Sequence, residues 1–334
     1  MPMTTMLLRV LTITALAALA LAWGFHAAAP APLALRLGTT RTPFSAVVWL
    51  ASERGYFAAE GLDVTVVPYA SGKLALADML AGTVDFATAA DTPIMLALMK
   101  NRPLRVLATL GTSSDATEVV ARRDRGIAAG RDLAGHRVGV VAGTNSQYFL
   151  DTFLEVCGVA AAEVERVPLQ ADELALALVD GRVDAISAWT PYSVRAKELL
   201  GERAVSMRAG GLYRWTWNLV VRGGAEIPGA AALMRALIRS SADLQAAPAG
   251  AAAELAGPLA LPAASLPGEW RHTRFEVALD QALLVNLEMQ ARWAIGCGLA
   301  RPGAVPNFLP ALAPGPLRAI DPALVTLIDG LDHR

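Results

Sequence analysis

The chain contains two related segments about one hundred residues apart, and this repeat limits its fold more than any other feature. The tetrapeptide Leu74–Ala77 recurs as Leu174–Ala177, and Gly82–Pro93 recurs as Gly181–Pro191, one residue shorter. A period of this length is well beyond the roughly 20 to 50 residues of solenoid repeats. The repeat therefore predicts two similar α/β lobes in one protein, with a ligand-binding cleft between them.

Size and composition fit two lobes and exclude several functions. A chain of 334 residues can build two lobes that each bury a core. The net charge is −1 and only 18% of residues are charged, so nucleic acid is not an expected partner, because phosphate binding requires clustered Lys and Arg. The sequence has no metal-ligand cluster, phosphate-binding loop, nucleophile elbow or zinc-protease motif. We therefore expect no metal, no cofactor and no enzymatic activity.

The first 29 residues are typical of a secretory signal peptide. An apolar run at Val10–Ala22 is followed by small residues at Ala27–Ala29. The run is shorter than the roughly 20 apolar residues of a membrane span, although an uncleaved anchor remains the alternative. We predict a signal peptide over residues 1–29 and a periplasmic protein. Export would permit a disulfide, but we expect Cys157 and Cys297 to be free thiols packed as small hydrophobic residues.

Strand-type and helix-type segments alternate in the same order in both halves. In the first half the predicted strands cover residues 33–38, 62–67, 84–88 and 106–110, and the predicted helices 45–54, 71–81 and 92–100. In the second half the predicted strands cover residues 137–141, 164–168 and 183–187, and the predicted helices 145–156, 172–180 and 190–200. This alternation predicts βαβ units in mainly parallel sheets that helices cover on both faces.

Two similar apolar segments bracket the second half of the repeat. Residues 118–122 and 218–222 resemble each other, and we predict that they are hinge strands by which the chain leaves the first lobe and returns to it. The predicted first lobe comprises residues 33–117 and 220–330, including a set of C-terminal helices. The predicted second lobe comprises residues 118–219.

Threonine stands at four predicted helix starts. Thr42, Thr92 and Thr190 each precede a proline, and Thr144 is followed three residues later by Gln147, as in a capping box. Threonine suits the N-cap and proline suits the first helical position. Such strand-to-helix turns lie at the carboxyl ends of parallel strands, where ligands bind, and helix N-termini favour anions. The four starts therefore predict one polar ligand site.

The few aromatic residues indicate where the organic part of a ligand would lie. Trp189 ends a predicted strand beside a helix start, so we predict that it forms a pocket wall. Tyr192 is a candidate phenolic donor, and Trp215-Thr216-Trp217 directly precedes the predicted returning strand. Asp85 and Asp184 occupy equivalent positions in the two halves, so we expect turn residues rather than a catalytic pair.

Several segments resemble the extracytoplasmic solute-binding proteins of the nitrate/sulfonate/taurine ABC-transporter family, which shares its fold with binding proteins for the thiamine pyrimidine precursor. The resemblance is carried by Gly55–Val64, Gly82–Ala87, Asp91–Pro93, Gly143–Asn145, Val183–Ala185, Gln290–Ile295 and Val305–Leu309. It implies a two-lobed type II periplasmic-binding-protein fold. The expected protein is a monomer that closes on one small anionic or zwitterionic molecule and delivers it to a membrane permease with its ATPase.

The resemblance also implies which residues contact the ligand, because family members bind it with their strand-to-helix turns. With Tyr192 added, the predicted ligand-binding residues are Thr40, Arg41, Thr42, Ser71, Gly72, Asp91, Thr92, Thr144, Asn145, Trp189 and Tyr192. A carboxylate at Asp91 would repel a sulfonate or nitrate unless it faces a neighbouring N–H, which leaves open a ligand with an amino group, such as taurine, or a neutral heterocycle such as a pyrimidine. A ligand-sensing protein and a pyrimidine-synthase-type enzyme on the same fold are the remaining alternatives, although the enzyme would be expected to carry a cysteine-rich motif.

Overall fold

The two halves of the repeat fold into two β-sheets with the same order of strands. The structure is a computed structural model and describes residues 31–223 and 228–328. The predicted signal peptide, residues 1–29, lies outside the described residues. In the part of the chain that is described, no helix is long and apolar enough to cross a membrane.

The larger sheet has six strands and the smaller sheet has five. The larger sheet consists of β1 Leu33–Thr40, β2 Leu62–Tyr69, β3 Phe86–Ala90, β4 Leu104–Ser113, β10 Trp215–Arg222 and β11 Thr273–Arg274. Across this sheet the strands lie in the order β11-β4-β10-β3-β1-β2. The smaller sheet consists of β5 Thr117–Arg122, β6 Arg137–Val140, β7 Glu165–Pro168, β8 Ala185–Trp189 and β9 Ala204–Met207. Across this sheet the strands lie in the order β7-β6-β8-β5-β9. The two-residue strands β12 Leu279–Asp280 and β13 Val325–Thr326 pair with each other.

Helices connect the strands and cover the sheets. Seven accompany the repeat: α1 Ala46–Glu53, α2 Tyr56–Ala59, α3 Gly72–Ala81, α4 Asp91–Met99, α5 Asn145–Val156, α6 Leu174–Val179 and α7 Tyr192–Leu200. In the described part of the chain after β10 there are five more: α8 Ala230–Ala246, α9 Pro248–Leu259, α10 Leu266–Trp270, α11 Gln281–Gly296 and α12 Gly315–Arg318. The predicted α/β class with two lobe-like halves is thus confirmed.

Each sheet contains one internal antiparallel strand at an equivalent position, and the larger sheet has a second antiparallel strand, β11, at its edge beside β4. In the larger sheet β10 is antiparallel to its neighbours β3 and β4, and in the smaller sheet β5 is antiparallel to β8 and β9. The remaining pairs among β1, β2 and β3, and among β6, β7 and β8, are parallel. The internal antiparallel strand is in each case the first one after the chain has passed from one sheet to the other.

The chain passes between the sheets at two short segments. Residues 114–116 join β4 to β5, and residues 208–214 join β9 to β10. The predicted hinge strands, 118–122 and 218–222, are therefore internal strands of the two sheets rather than free connections. Arg208 joins the two crossings, because its Nη1 donates to a carboxylate oxygen of Asp115 at 2.8 Å.

The repeated aspartates hold the starts of equivalent strands. The Arg36 backbone N–H donates to Asp85 Oδ2 at 2.7 Å, and the Arg137 backbone N–H donates to Asp184 Oδ2 at 3.1 Å. Both carboxylates thus tie the turn before a strand to its parallel neighbour. The interpretation of Asp85 and Asp184 as structural residues is confirmed.

The strands that follow these aspartates begin two residues later than predicted. Strands were predicted at 84–88 and 183–187, whereas β3 covers Phe86–Ala90 and β8 covers Ala185–Trp189. The difference arises because each aspartate remains in the turn, bonded to the neighbouring strand. As a consequence Trp189 is the last residue of its strand, as predicted.

The smaller sheet packs differently on its two faces. Val120 and Ile186 belong to the hydrophobic core that continues into the larger sheet, whereas Val119 belongs to a separate cluster with Phe149 and Leu150 of α5. Side chains alternate along a strand, so neighbouring residues of β5 serve different cores. Because both faces of the smaller sheet are buried, the ends of its strands are held in place by packing.

The two cysteines differ in their surroundings. Both are free thiols; Cys157 is half-buried against the smaller core, and Cys297 is exposed. The prediction of free thiols agrees with the structure. Packing as a small hydrophobic residue describes Cys157 but is wrong for Cys297, because the turn after α11 places it at the surface.

Candidate functional site

A pocket lies between the carboxyl ends of the two sheets, and residues from both halves of the repeat line it. The space between its lining atoms, counted together with the adjoining open solvent, is about 370 Å³. The lining residues are Thr40, Thr42, Phe44, Ser71, Gly72, Lys73, Ala90, Pro93, Thr144, Asn145, Trp189, Trp215 and Trp217. Seven of the eleven predicted ligand-binding residues are among them: Thr40, Thr42, Ser71, Gly72, Thr144, Asn145 and Trp189.

Two helix N-termini reach the pocket, one from each sheet. Ser71 caps α3, since its Oγ accepts from the Leu74 backbone N–H at 3.4 Å. Thr144 caps α5, since its Oγ1 accepts from the Ser146 backbone N–H at 3.2 Å. The first N–H groups of both helices have no partner within their helix, and the helix dipoles add partial positive charge. This end of the pocket therefore suits an anion.

The capping role predicted for the other threonines is wrong. Thr42 stands at the start of a short 3-10 helix, but its hydroxyl bonds Thr40 Oγ1 at 2.8 Å instead of a helical N–H. Thr92 is the second residue of α4, which begins at Asp91, so it does not stand at the N-cap. Thr190 Oγ1 donates to Glu269 Oε2 at 2.7 Å instead of capping a helix.

The predicted capping box at Thr144 is altered. The Gln147 side chain accepts from the Gly143 N–H instead of from the N–H of Thr144.

Aromatic side chains form the other end of the pocket. The rings of Trp215 and Trp217 are stacked with centroids 5.5 Å apart, and the Phe44 ring centroid lies 4.3 Å from that of Trp215. Trp189 joins them from the smaller sheet and packs edge-to-face on Tyr192. All four pocket aromatics are at least nine-tenths buried. They can cover a carbon skeleton on several sides.

Two of these indoles carry buried donors without a partner. The Nε1–H groups of Trp215 and Trp217 donate to no hydrogen-bond acceptor among the described residues. Trp49 and Trp270, in contrast, donate to the carbonyls of Thr40 and Pro43 at 2.8 and 3.0 Å. A buried donor left unpaired costs free energy, roughly 1–3 kcal/mol. A ligand oxygen within reach would remove this cost.

The sequence patterns do not assign Trp215 and Trp217 to the site, because of the direction of β10. These patterns point to residues after the carboxyl ends of parallel strands, whereas the two indoles lie at the amino end of an antiparallel strand. Trp217 pairs with Ala90 at the end of β3, so both ends lie at the same edge of the sheet. The available signal was the Trp-Thr-Trp alternation, which places two indoles on one face.

Lys73 is the one charged side chain that lines the pocket within the described residues. Its Nζ donates to the Ala142 carbonyl at 2.7 Å and so joins α3 to the loop before α5. Partial burial and the nearby Lys100 ammonium lower the pKa of Lys73. No Asp or Glu lines the pocket in the part of the chain that is described.

Gly72 stands where α3 comes into close contact with the larger sheet. A Cβ at this position would lie 2.7 Å from Cη2 of Trp217 and 2.9 Å from Cα of Ala89. Real side chains do not reach such distances, so any other residue here would displace α3 or the indole. The glycine therefore permits the contact between the helix N-terminus and the aromatic wall.

Four predicted ligand-binding residues do not line the pocket. Arg41 is exposed, with its guanidinium 5.8 Å from the Trp49 ring centroid. Thr92 is fully buried, and Tyr192 reaches the pocket only through its packing on Trp189. Asp91 is fully buried behind the pocket.

Burial determines the chemistry of Asp91. It raises the pKa of this carboxyl group to about 6, although hydrogen bonds from the Tyr213 hydroxyl and the Thr92 N–H favour the ionised form. The second carboxylate oxygen, Oδ2, has no partner in the described residues. The carboxyl group does not line the pocket, and it faces the Thr92 N–H and the Tyr213 hydroxyl instead of the space that a ligand would occupy.

Several hydrogen bonds connect the two halves around the pocket. Besides the bond from Lys73, the Tyr192 hydroxyl donates to the Ala70 carbonyl at 2.8 Å, and Trp293 Nε1 donates to Asp151 Oδ2 at 3.0 Å. The Tyr192 bond joins α7 to the loop after β2. The pocket is thus bridged on more than one side.

The described residues contain no group of three or more His, Cys, Asp and Glu side chains that could hold a metal ion. The polar groups that line the pocket are hydroxyls, amide groups, indole N–H groups and one ammonium. This set binds acceptor atoms and negative charge.

Comparison with known proteins points to the same family as the sequence motifs. The family model described as NMT1/THI5 like matches residues 42–209, which is half of the chain. A Bacillus subtilis (strain 168) protein provisionally named an aliphatic sulfonates-binding protein is 28% identical over 147 residues, which are 43% of this chain and 44% of that protein. The chain therefore matches less than half the length of this curated relative.

Solved structures show the fold. The alkanesulfonate-binding protein SsuA from Xanthomonas axonopodis pv. citri, bound to MOPS, superposes with a TM-score of 0.75 at 21% identity, covering 86% of this chain and 100% of that one. The periplasmic nitrate-binding protein NrtA from Synechocystis PCC 6803 gives a TM-score of 0.72 at 13% identity, covering 89% and 90%.

The fold is not restricted to binding proteins. A cysteine-to-serine mutant of DSZB, an enzyme, in complex with biphenyl-2-sulfinic acid, superposes with a TM-score of 0.61 at 19% identity, covering 86% of this chain and 98% of that one. The other relatives described above are named as binding proteins.

Proposed function

The chain belongs to the NMT1/THI5-like family, and on this premise we propose that it is the solute-binding component of an ABC importer whose ligand is an organic sulfonate. The proposed protein acts outside the cytoplasm, as a monomer, and delivers its ligand to a permease and its ATPase. Names of relatives that bind sulfonates or nitrate support this class of function.

One observation carries the proposal: the pocket combines an anion-binding end with an aromatic end. Two capped helix N-termini, from α3 and α5, and the Lys73 ammonium supply donors and positive charge at one end. At the aromatic end, the Nε1–H groups of Trp215 and Trp217 are buried donors without a partner among the described residues. A sulfonate has three acceptor oxygens, a fixed negative charge and no proton to donate at neutral pH, so it matches a site rich in donors.

The residues that line the pocket favour some of the anions considered for this family over others. Taurine carries an ammonium group, which would need an acidic partner, and the described lining has none. Nitrate has no carbon part to occupy the space between Phe44, Trp189 and Trp217. We therefore expect a sulfonate with an apolar alkyl or aryl group to bind more tightly than taurine or nitrate.

The arrangement of the sheets supports the proposed lobes. Residues 33–117 with 220–330 would form the first lobe, and residues 118–219 the second. The two crossings at 114–116 and 208–214 would then bend as the lobes close, since short connecting segments absorb hinge motion. Closure would bring Thr144, Asn145 and Trp189 onto a ligand already held by the larger sheet.

The experiment is a thermal-stability measurement of the purified protein against a panel of ligands. The panel contains alkyl and aryl sulfonates, taurine, nitrate, bicarbonate and pyrimidines. A ligand at about 100 times its dissociation constant stabilises a protein by roughly 2.7 kcal/mol, which is a clear shift in melting temperature.

We expect the largest shift with an alkyl or aryl sulfonate, and a smaller one with taurine or nitrate. A shift with pyrimidines alone would replace the sulfonate by a flat neutral heterocycle, and hydrolysis or rearrangement of a bound compound would indicate an enzyme. No shift with any member of the panel would contradict the proposal.

A further inference from the structure

A second and larger cavity lies beside the ligand pocket, between α3, α4 and the loop before α5. It is open to solvent, and the space between its lining atoms, counted together with that solvent, is about 1120 Å³. We call it the outer groove; it is lined by Lys73, Leu76, Ala77, Leu80, Pro93, Leu96, Ala97, Lys100, Arg102, Ala142, Gly143 and Leu299. Lys73 and Pro93 line both the outer groove and the pocket, so the two cavities are neighbours.

The outer groove has an apolar floor. Leu76 and Leu80 come from α3, Leu96 comes from α4, and Leu299 follows α11. Leu76 is buried, and the other three leucines are half-buried, so apolar surface remains available to a ligand. Covering such surface with the apolar part of a ligand is favourable because it removes the surface from water.

The charges of the outer groove are all positive. Lys73, Lys100 and Arg102 line it, and no Asp or Glu does within the described residues. Among those residues Lys100 and Arg102 form no ion pair, although many other arginines of the chain do. Arg301 extends the charge into an adjoining cavity that shares Lys100 with the groove. Unpaired like charges around an apolar floor attract an anion with an apolar part.

We propose that the outer groove is a second, weaker binding site for sulfonates with an apolar chain, and that the ligand passes from it into the pocket. The proposal rests on the function proposed above for the pocket. The anionic group would lie between Lys100 and Arg102, and the chain would lie on the leucines, directed toward Pro93. From Pro93 to Lys100 the helical rise is about 10 Å, which is the distance that the chain would span.

Lys73 stands between the two cavities. Its Nζ donates to the Ala142 carbonyl at 2.7 Å and lies 3.5 Å from the position that a Cβ would take at Gly143. The Lys73 side chain therefore lies at the boundary between the groove and the pocket, which it lines together with Pro93. When the sulfonate group moves from Lys100 toward the pocket, the Lys73 ammonium can exchange the neutral Ala142 carbonyl for this charged partner.

The test is isothermal titration calorimetry of the full-length protein with octanesulfonate, at low and at physiological ionic strength. We compare the wild-type protein with Lys100→Glu and Arg102→Glu, and with Trp189→Ala as a pocket variant. Arg182→Glu is the matched control, because Arg182 is exposed and forms no ion pair in the described residues. It stands before the amino end of β8, whereas the pocket lies at the carboxyl end of that strand. It changes the net charge as much as either groove variant does.

We expect two binding events in the wild-type protein, a tight one in the pocket and a weak one that salt weakens further. Lys100→Glu and Arg102→Glu should weaken the second event about tenfold, because attraction becomes repulsion, and should leave the tight event in place. Arg182→Glu should leave both unchanged, and Trp189→Ala should weaken only the tight event.

The outcomes separate this proposal from that for the pocket. A single tight event that the groove variants do not alter would overturn the second site and leave the proposed function intact. A weak event that Lys100→Glu and Arg102→Glu reduce, without any tight event, would support the groove and contradict the pocket. A weak event equally sensitive to Arg182→Glu, or no binding at all, would overturn the groove.

Discussion

Single side chains at the end of β8 and in the antiparallel strand β10 determine what the pocket can hold. Trp189 is the clearest case, because it is buried, lines the pocket and is the aromatic contribution of the smaller sheet. Its packing partner Tyr192 belongs to the same half of the repeat. Removing the indole therefore alters the wall of the pocket while leaving the stacked indoles of the larger sheet in place.

We expect Trp189→Ala to weaken sulfonate binding by about 2 kcal/mol or more, which is the cost of losing a buried aromatic anchor. Calorimetric titration with the best ligand of the panel measures the change. The melting temperature of the unliganded variant serves as the control for folding. Affinity equal to that of the wild-type protein would exclude Trp189 from the site.

Asp91 has a different role, since its buried carboxyl group affects stability rather than ligand contact. A pKa of about 6 means that the folded protein retains the proton over a pH range in which the unfolded chain, with a pKa near 3.8, has lost it. The free energy of unfolding must then decrease as the pH rises from about 4 to about 6. Above pH 6 the folded protein contains a buried carboxylate with an oxygen that no described residue contacts by a hydrogen bond.

Asp91→Asn should therefore be more stable than the wild-type protein at pH 8, by about 1 to 3 kcal/mol, and nearly equal to it at pH 4. The amide keeps one oxygen to accept from Tyr213 and Thr92 and carries no charge. Thermal unfolding at a series of pH values measures the difference. A stabilisation that does not depend on pH would show that Asp91 is ionised throughout.

At the scale of elements, the first residues of α3 set the distance between the anion-binding end and the aromatic end of the pocket. Ser71 supplies the cap, Gly72 supplies the close approach to Trp217, and Lys73 supplies the charge. Three consecutive residues thus combine backbone donors, space and a cation. The physical constraint is steric, because the Cβ of any other residue at position 72 would overlap the indole.

Gly72→Ala should destabilise the protein by about 1 to 3 kcal/mol, as other overpacked sites do, and should also weaken ligand binding by moving α3. Gly250→Ala is the matched control, because Gly250 lies in α9 and a Cβ there meets no atom within 4 Å. That variant should be neutral or slightly stabilised, since alanine favours helices. Denaturant unfolding and ligand titration measure both effects; equal behaviour of the two variants would contradict the steric argument.

At the scale of the whole molecule, binding depends on how the two halves are joined around the pocket. The Tyr192 hydroxyl of the smaller half reaches the Ala70 carbonyl of the larger half, whereas the Tyr69 hydroxyl donates to Asp78 within the larger half at 2.8 Å. Each tyrosine donates one hydroxyl hydrogen bond, Tyr192 to a neutral carbonyl of the other half and Tyr69 to a carboxylate of its own half. The Tyr192 bond exists only while the two halves are in contact, whereas the Tyr69 bond does not depend on closure.

Tyr192→Phe should speed ligand dissociation and weaken affinity about fivefold, the equivalent of roughly 1 kcal/mol for one net hydrogen bond. Tyr69→Phe should lower stability by a similar amount and leave the dissociation rate unchanged. Stopped-flow measurement of tryptophan fluorescence follows the release, since three tryptophans line the pocket. Equal dissociation rates in both variants would argue against closure through the Tyr192 contact.

Much of this molecule is determined by local sequence patterns. The alternation of strands and helices, the repeat of about one hundred residues and the ends of most elements follow from short-range periodicity and from the residues that start and stop helices. Ser71, Thr144 and Trp189 could be assigned to the pocket edge because each stands next to a strand or helix end. Such assignments need only the chain neighbours of a residue, which the sequence displays directly.

The remaining features depend on contacts between distant parts of the chain, and only the tertiary structure decides them. The antiparallel insertion of β10 brings Trp215 and Trp217 to the pocket, and the packing of α4 places Asp91 behind it. Lys73 gains its position from the Ala142 carbonyl, 69 residues further along the chain. The physical reason is that burial and charge pairing are set by whichever segments meet in space, and periodicity along one segment carries no information about its partners.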